Sequence, residues 1–170
     1  MDTFVEQIVA KKKDGKELAF IIGTVFAALM VALLAFAFVG VFSIVLIVWI
    51  VVGYGAWWVI TSQNIEFEYS VTNGDVDIDR IVARRKRNRI VSVRGQKIEQ
   101  AGKYDPARFQ NRSFDRTVMA ASSLKEEELY YFTYHSKKRG STLVVFQPDE
   151  RVREAFYKSL PKLVQLDWNK

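Results

Sequence analysis

Residues 18–65 read LAFIIGTVFAALMVALLAFAFVGVFSIVLIVWIVVGYGAWWVITSQNI, 48 positions without one Asp, Glu, Lys or Arg. One helix needs ~20 apolar residues to cross ~30 Å of hydrocarbon, so this run has the length for two. The spacing predicts a first helix over 18–39 and a second over 41–61, with Gly40 and Ser43 near the reversal. The thirteen Leu, Ile, Phe and Val residues of the first segment sum to roughly −5 kcal/mol of insertion free energy, with no charge opposing them. A soluble helical hairpin would need a polar face. Gly23, Thr24 and Ser43 are all this stretch offers. A cleaved leader would carry only ~7–15 apolar residues and a small-residue cleavage site, whereas here a second span follows.

Orientation follows from the flanks. Lys11, Lys12, Lys13 and Lys16 precede the first span, Arg80 to Arg89 follow the second, and the connection carries no Lys or Arg. The positive-inside rule counts these basic residues and predicts two crossings with both termini cytoplasmic. Tyr54, Trp57 and Trp58 stand where an interfacial aromatic belt is expected, so the lysines and Trp57 and Trp58 mark the membrane interface. Neither span holds an ionisable residue apart from the weakly acidic Tyr54, which argues against a pump or carrier acting alone. Gly53, Gly55 and the Ala27, Ala28, Ala32, Ala35 face are close-packing surfaces, either for one span on the other or for a second subunit. The segment 1–17 has Phe4, Val5, Ile8 and Val9 at helical spacing and reads as a short amphipathic helix on the membrane surface.

After the spans at 18–62 the period changes. In the region 63–170, Ile65, Phe67, Tyr69 and Val71 alternate with Glu66, Glu68, Ser70 and Thr72, the two-residue repeat of a half-buried strand. Asn73-Gly74 is a strong hairpin signal, and Val76 and Ile78 continue the alternation against Asp75, Asp77 and Asp79. Further strands are expected at 89–93, 97–101, 116–120, 129–136 and 141–146, with a turn at Lys137 to Gly140. A helix follows Pro148, its apolar stripe formed by Val152, Ala155, Phe156 and Leu160. The expected fold class is therefore an α+β membrane protein. An N-terminal transmembrane helical hairpin precedes a domain of about seven antiparallel strands and a C-terminal helix, closed as a bent sheet or barrel.

That strand order resembles the pleckstrin-homology superfold in its small bacterial PH-like form. Two stretches carry a closer resemblance: Met1 to Val9 with Lys11, Lys12 and Lys13 after it, and Glu66 to Ile81 with the basic run after it. Together they resemble a family of uncharacterised bacterial two-span membrane proteins of the Gram-positive type. The resemblance implies that architecture and the bacterial cell membrane as its location, and assigns no activity.

Composition closes off most chemistry. The 170 residues contain one His and no Cys, which removes disulfides, iron–sulfur clusters, thiolate zinc sites and cysteine catalysis. His135 has no sequence partner that would make it a general base, and no phosphate-binding, dinucleotide or metalloprotease motif is present. Asp75-x-Asp77-x-Asp79 lacks the Gly and Glu of a calcium loop, since Arg80 and Lys86 stand at those positions. It reads as a solvated face paired with neighbouring arginines. No catalytic, cofactor or metal site is expected.

What remains is charge. Between Arg80 and Arg116 twelve basic residues face three acidic ones, although the whole chain carries only +6. Arg84, Arg85, Lys86, Arg87 and Arg89 are the densest part. Tethered below a bilayer, they are expected to contact anionic lipid headgroups at ~1 kcal/mol per contact. Nucleic acid is disfavoured because the run has no interleaved aromatics and the expected fold offers no groove-reading helix. The function expected is thus a non-enzymatic, membrane-tethered binding module for anionic lipid or a protein partner. The alternative is a small accessory subunit, or a homo-oligomer, assembling through its membrane helices.

Overall fold

The computed structural model describes residues 4–38, 42–124, 126 and 128–168. The chain forms two units: a helical hairpin over residues 12–65, and a β domain built from the chain before and after it.

In the hairpin, α1 (Gly15–Phe38) has 24 residues and α2 (Phe42–Ser62) has 21. At 1.5 Å per residue they are ~36 and ~32 Å long, each enough for one crossing. The reversal expected at Gly40 lies outside the described residues. The less exposed positions recur every three or four residues, at Ile21, Thr24, Ala28, Ala32 and Ala35 on α1 and Val45, Val48, Val52 and Ala56 on α2. That spacing defines the seam between two packed helices. Trp49 reaches across to donate its indole N–H to the Ala32 carbonyl at 3.0 Å. Of the described residues in both helices only Val45 is buried, so these are not core helices of a soluble protein. A Cβ added at Gly53 or Gly55 would meet nothing within 4 Å, so both lie off the seam.

The β domain corrects the expectation for the N-terminal segment. Residues 4–10 form a strand, β1 (Phe4–Ala10), not a surface helix. It pairs antiparallel with β2 (Ile65–Thr72) from Phe4↔Thr72 to Ala10↔Glu66. An isolated helix of two turns is marginal in water, whereas seven ladder positions satisfy the backbone directly. Val5, Gln7 and Val9 turn partly inward, and Phe4, Glu6 and Ile8 face out. The membrane hairpin is therefore an insertion between two neighbouring strands.

The first sheet runs β1-β2-β3-β4, with β3 (Asp75–Val82) and β4 (Lys86–Arg94). A short 3-10 turn at Gly95–Lys97 leads to β5 (Ile98–Lys103), then α3 (Pro106–Phe109), β6 (Arg116–Ala120), β7 (Tyr130–Ser136) and β8 (Gly140–Phe146). These strands make the second sheet, ordered β5-β7-β8-β6. One pairing departs from the antiparallel expectation. β6 runs parallel to β8, from Arg116↔Thr142 to Ala120↔Phe146, because the connection 121–129 carries the chain past β8 before β7 begins. The C-terminal helix α4 (Glu150–Ser159) is capped by Asp149, whose carboxylate accepts the Val152 N–H at 2.8 Å, and α5 (Lys162–Asp167) follows.

The core lies between the sheets and α4. Phe67, Tyr69, Val71, Val76, Ile78, Val91 and Val93 line the inner face of the first sheet. Phe132, Phe146 and Phe156 pack with ring centroids 5.1–5.4 Å apart, in geometry that adds roughly 1 kcal/mol per aromatic pair to simple burial. The outer face of β7 and β8 is also covered, since Tyr131, Leu143 and Val145 pack against Phe109 and Leu129. Hence these two strands read as continuous apolar runs. Gln7 closes the gap between β1 and the end of β8. Its amide donates to the Gln147 carbonyl at 3.2 Å, and its carbonyl accepts the Asp149 N–H at 2.7 Å.

If the hairpin is an insertion, removing it should leave a complete domain. Replacing residues 11–65 with a short Asn-Gly turn should yield a soluble, cooperatively unfolding β protein. The fragment 63–170, lacking β1, should aggregate or unfold many degrees lower. Size-exclusion chromatography and thermal unfolding by circular dichroism compare the two.

Candidate functional site

In an antiparallel sheet, the ends of β1 and β3 coincide with the starts of β2 and β4. The chain leaves the first sheet for α1 at Ala10 and returns at Ile65, so the turn joining β3 to β4 stands at that same end. Ala83 and Arg84 form this turn with φ of 54° and 55°, closed by Arg85 N–H to the Val82 carbonyl at 3.0 Å. Two consecutive positive φ values suit Asn-Gly, as at Asn73 and Gly74, but cost an Ala or Arg roughly 1 kcal/mol each. The tight turn projects Arg84, Arg85 and Lys86 from the sheet end. They border an open cleft of about 550 Å³ with Ile8, Ala10 and Glu66.

The five basic residues singled out from sequence do not act as one loop. Arg84, Arg85 and Lys86 belong to the turn and its exit, while Arg87 and Arg89 lie in β4. Both point over the outer face of the sheet. There Arg87 pairs with Glu68 and lies 3.9 Å from Asp79, and Arg89 contacts Asp77 at 3.0 Å and Asp79 at 3.1 Å. Arg84 reaches Glu66 at 3.0 Å, yet its side chain is 83% exposed. Glu68 and Asp79 are buried, so their arginines offset a desolvation cost rather than add free stability. Asp77 and Asp79 thus meet arginine as expected, but the face is not a solvated one, since Asp79 is buried under the guanidinium groups of β4; Asp75 stands opposite Arg94. A register shift after Ile78 sets Asp79 opposite Arg89.

Burial pushes the Glu68 carboxyl above the usual carboxylate range, the neighbouring Glu6 adds to the shift by hydrogen bond and charge, and Arg87 opposes it. The hydrogen bond to Asp79, followed by the charges of Asp77 and Asp79, raises the Arg89 guanidinium. Burial also raises the Tyr69 phenol, which donates to the Ala120 carbonyl and accepts the Gln147 N–H at 3.3 Å.

The remaining sequence candidates are dispersed. Lys12, Lys13 and Lys16 are exposed and Lys11 is partly so, all between β1 and the first turn of α1. Trp57 and Trp58 are exposed near the end of α2, with ring centroids 5.7 and 6.4 Å from Tyr54. His135 is exposed on β7. Sequence reasoning missed Glu6, Gln7, Ile8 and Ala10 as partners of this site, because their strand neighbour lies some sixty residues away.

A β barrel-like pair of sheets closed by a C-terminal helix, with two membrane-length helices inserted after its first strand, defines an α+β protein of the PH-like class. The chain belongs to the family described as Bacterial PH-like domain (DUF6106), whose model matches residues 1–166. No curated protein and no solved structure matches it.

The shift at Glu68 has a defined sign. A carboxyl raised in the folded state contributes stability that is complete below its unfolded value of 4.5 and is lost as pH rises through the folded value. Glu6→Gln removes the like charge and supplies an amide that donates without needing a proton. Thermal unfolding measured from about pH 4 to about pH 7 should therefore show a smaller fall in midpoint for the variant than for the natural chain.

Proposed function

We propose that this chain is a non-enzymatic, membrane-tethered binding module whose turn residues Arg84, Arg85 and Lys86 contact anionic headgroups of the inner leaflet. The observation that carries this reading is the position of the strained basic turn at the sheet end from which both helices depart. Residues 11–14 span at most ~14 Å and residues 63–64 ~7 Å of extended chain, short tethers that support a headgroup contact at this end of the sheet. Backbone strain of this kind persists where a site requires it. The exposed Arg84 can exchange its Glu66 partner for a phosphate at small cost, since exposed ion pairs are worth ~0–1 kcal/mol. Arg87, which also lines that cleft, and Arg89 are held mainly by the buried carboxylates of the sheet, so the turn residues are the principal contact.

Both termini on the cytoplasmic side fit the same reading. β1 and β2 can pair only if the chain returns to the side it left, which requires an even number of crossings. The basic flanks then favour the cytoplasm. A second reading, an accessory subunit assembling through its spans, draws support from Gly53 and Gly55, whose open surface off the hairpin seam would let another helix approach closely.

Lys86 reports on the contact. In full-length protein reconstituted into nanodiscs, amine acylation of Lys86 followed by mass spectrometry should slow about threefold or more when phosphatidylglycerol replaces part of the phosphatidylcholine. High salt should abolish the difference. Lys158, near the opposite end of the sheet, is the internal reference. Equal Lys86 rates in both lipids would reject the headgroup contact and leave the accessory-subunit reading standing.

A further inference from the structure

The ion pairs of the first sheet engage Arg84, Arg87 and Arg89. Arg94 and Lys97 lie at the opposite end of the first sheet, roughly 25 Å away by strand length. There the Asn73-Gly74 turn, the end of β4 and the last turn of α4 enclose a cleft of about 690 Å³ that includes Arg94 and Lys158. A second cleft of about 340 Å³ runs from Arg94 and Lys97 to His135 and Lys137 at the end of β7. Arg94 and Asp75 line both, so the two clefts adjoin at that pair as neighbouring parts of a basic groove. Asp75 is the one carboxylate among its described lining residues. Arg94, Lys97 and Lys137 are exposed and make no ion pair among the described residues. Lys158 has only an exposed partner, Glu154, at 3.6 Å.

The floor of this groove is fixed. Gly95 N–H donates to the Gly74 carbonyl at 2.7 Å, and the Gln96 amide donates to the Ser159 carbonyl at 3.2 Å. Gly95 packs so closely on Ser159 that a side chain there would strike its carbonyl and hydroxyl. The cations are therefore mounted on elements locked to one another.

We propose that this groove is a docking site for an acidic peptide segment of a protein partner. Charge complementarity gives the sign of the occupant: four cations and a His face one carboxylate. Their arrangement gives its form. The cations come from β4, the 3-10 turn, the β7–β8 turn and α4, in series along an open groove, whereas a small anion is held by converging donors. Nucleic acid fits less well because no exposed aromatic ring lines the groove for base stacking, and Tyr134 is buried. This site stands independently of the headgroup contact at Arg84–Lys86.

The test uses full-length protein in phosphatidylcholine nanodiscs and a fluorescein-labelled peptide of Glu residues in a Gly/Ser frame, read by fluorescence anisotropy at low salt. A peptide with Gln for every Glu is the control. Saturable binding of the Glu peptide alone is expected, weakened about tenfold by Lys97→Gln with Lys137→Gln and unchanged by Arg85→Gln with Lys86→Gln. A charge-reversing Lys137→Glu variant should weaken it further. Equal binding of the Gln peptide, or unaltered affinity in the Lys97 and Lys137 variants, would overturn the proposal. So would complete displacement by millimolar inorganic phosphate, which would mark a free-anion pocket, or tighter binding of a single-stranded oligonucleotide through the same lysines.

Discussion

The pairing of β1 with β2 is the constraint on which the rest of this structure depends. Seven residues before the first helix and seven after the second meet in register, although more than fifty residues separate them in the chain. A hairpin of this kind is normally closed by a two-residue turn; here the loop is a pair of membrane-length helices. The pairing returns the chain that leaves α2 to the strand from which it entered α1. It also supplies the strand whose Gln7 joins the first sheet to the chain after β8. Without β1 the first sheet loses an edge strand, α4 loses the tie at its N-cap, and Val71 and Phe67 lose cover.

Charge is distributed to match this frame. The acidic residues of β2 and β3 lie on the outer face of the first sheet, and β4 brings Arg87 and Arg89 over them. Isolated surface pairs contribute little, but Glu68 and Asp79 are buried, and leaving either unpaired would be costly. The ladder is therefore structural. Cations outside it gather at the two ends of the sheet: Arg84 to Lys86 where the chain runs to the helices, Arg94 with Lys97 where it runs to β5. One basic stretch thus neutralises buried carboxylates in its middle and carries further cations at both ends.

The legibility of these features from sequence follows the range of the interactions that make them. The two long apolar helices were visible because 48 consecutive residues carry no charge, and β2 and β3 because alternation and Asn73-Gly74 act locally. The strands expected at 116–120, 129–136 and 141–146 and the helix after Pro148 emerged for the same reason. β1 was misread as a helix because Phe4, Val5, Ile8 and Val9 fall at helical spacing and not at a strand's two-residue period, so only the pairing with the distant β2 reveals the strand, which leaves Phe4 and Ile8 exposed. The parallel pairing of β6 and β8, the register shift near Asp79 and the division of the arginines between turn and ladder depend on contacts across the fold. The Asp–Arg pairing was legible from residue type, whereas the burial of Asp79 was not.

The most direct test of this account is the sidedness of three positions. The chain has no Cys, so single replacements report individually. Phe4→Cys, Gly40→Cys and Lys138→Cys variants in intact cells are treated with a membrane-impermeant maleimide, before and after permeabilisation. The account predicts that position 40 reacts in intact cells and that positions 4 and 138 react only after permeabilisation. Labelling of position 4 or 138 from outside, or recovery of the protein in the soluble fraction, would contradict it.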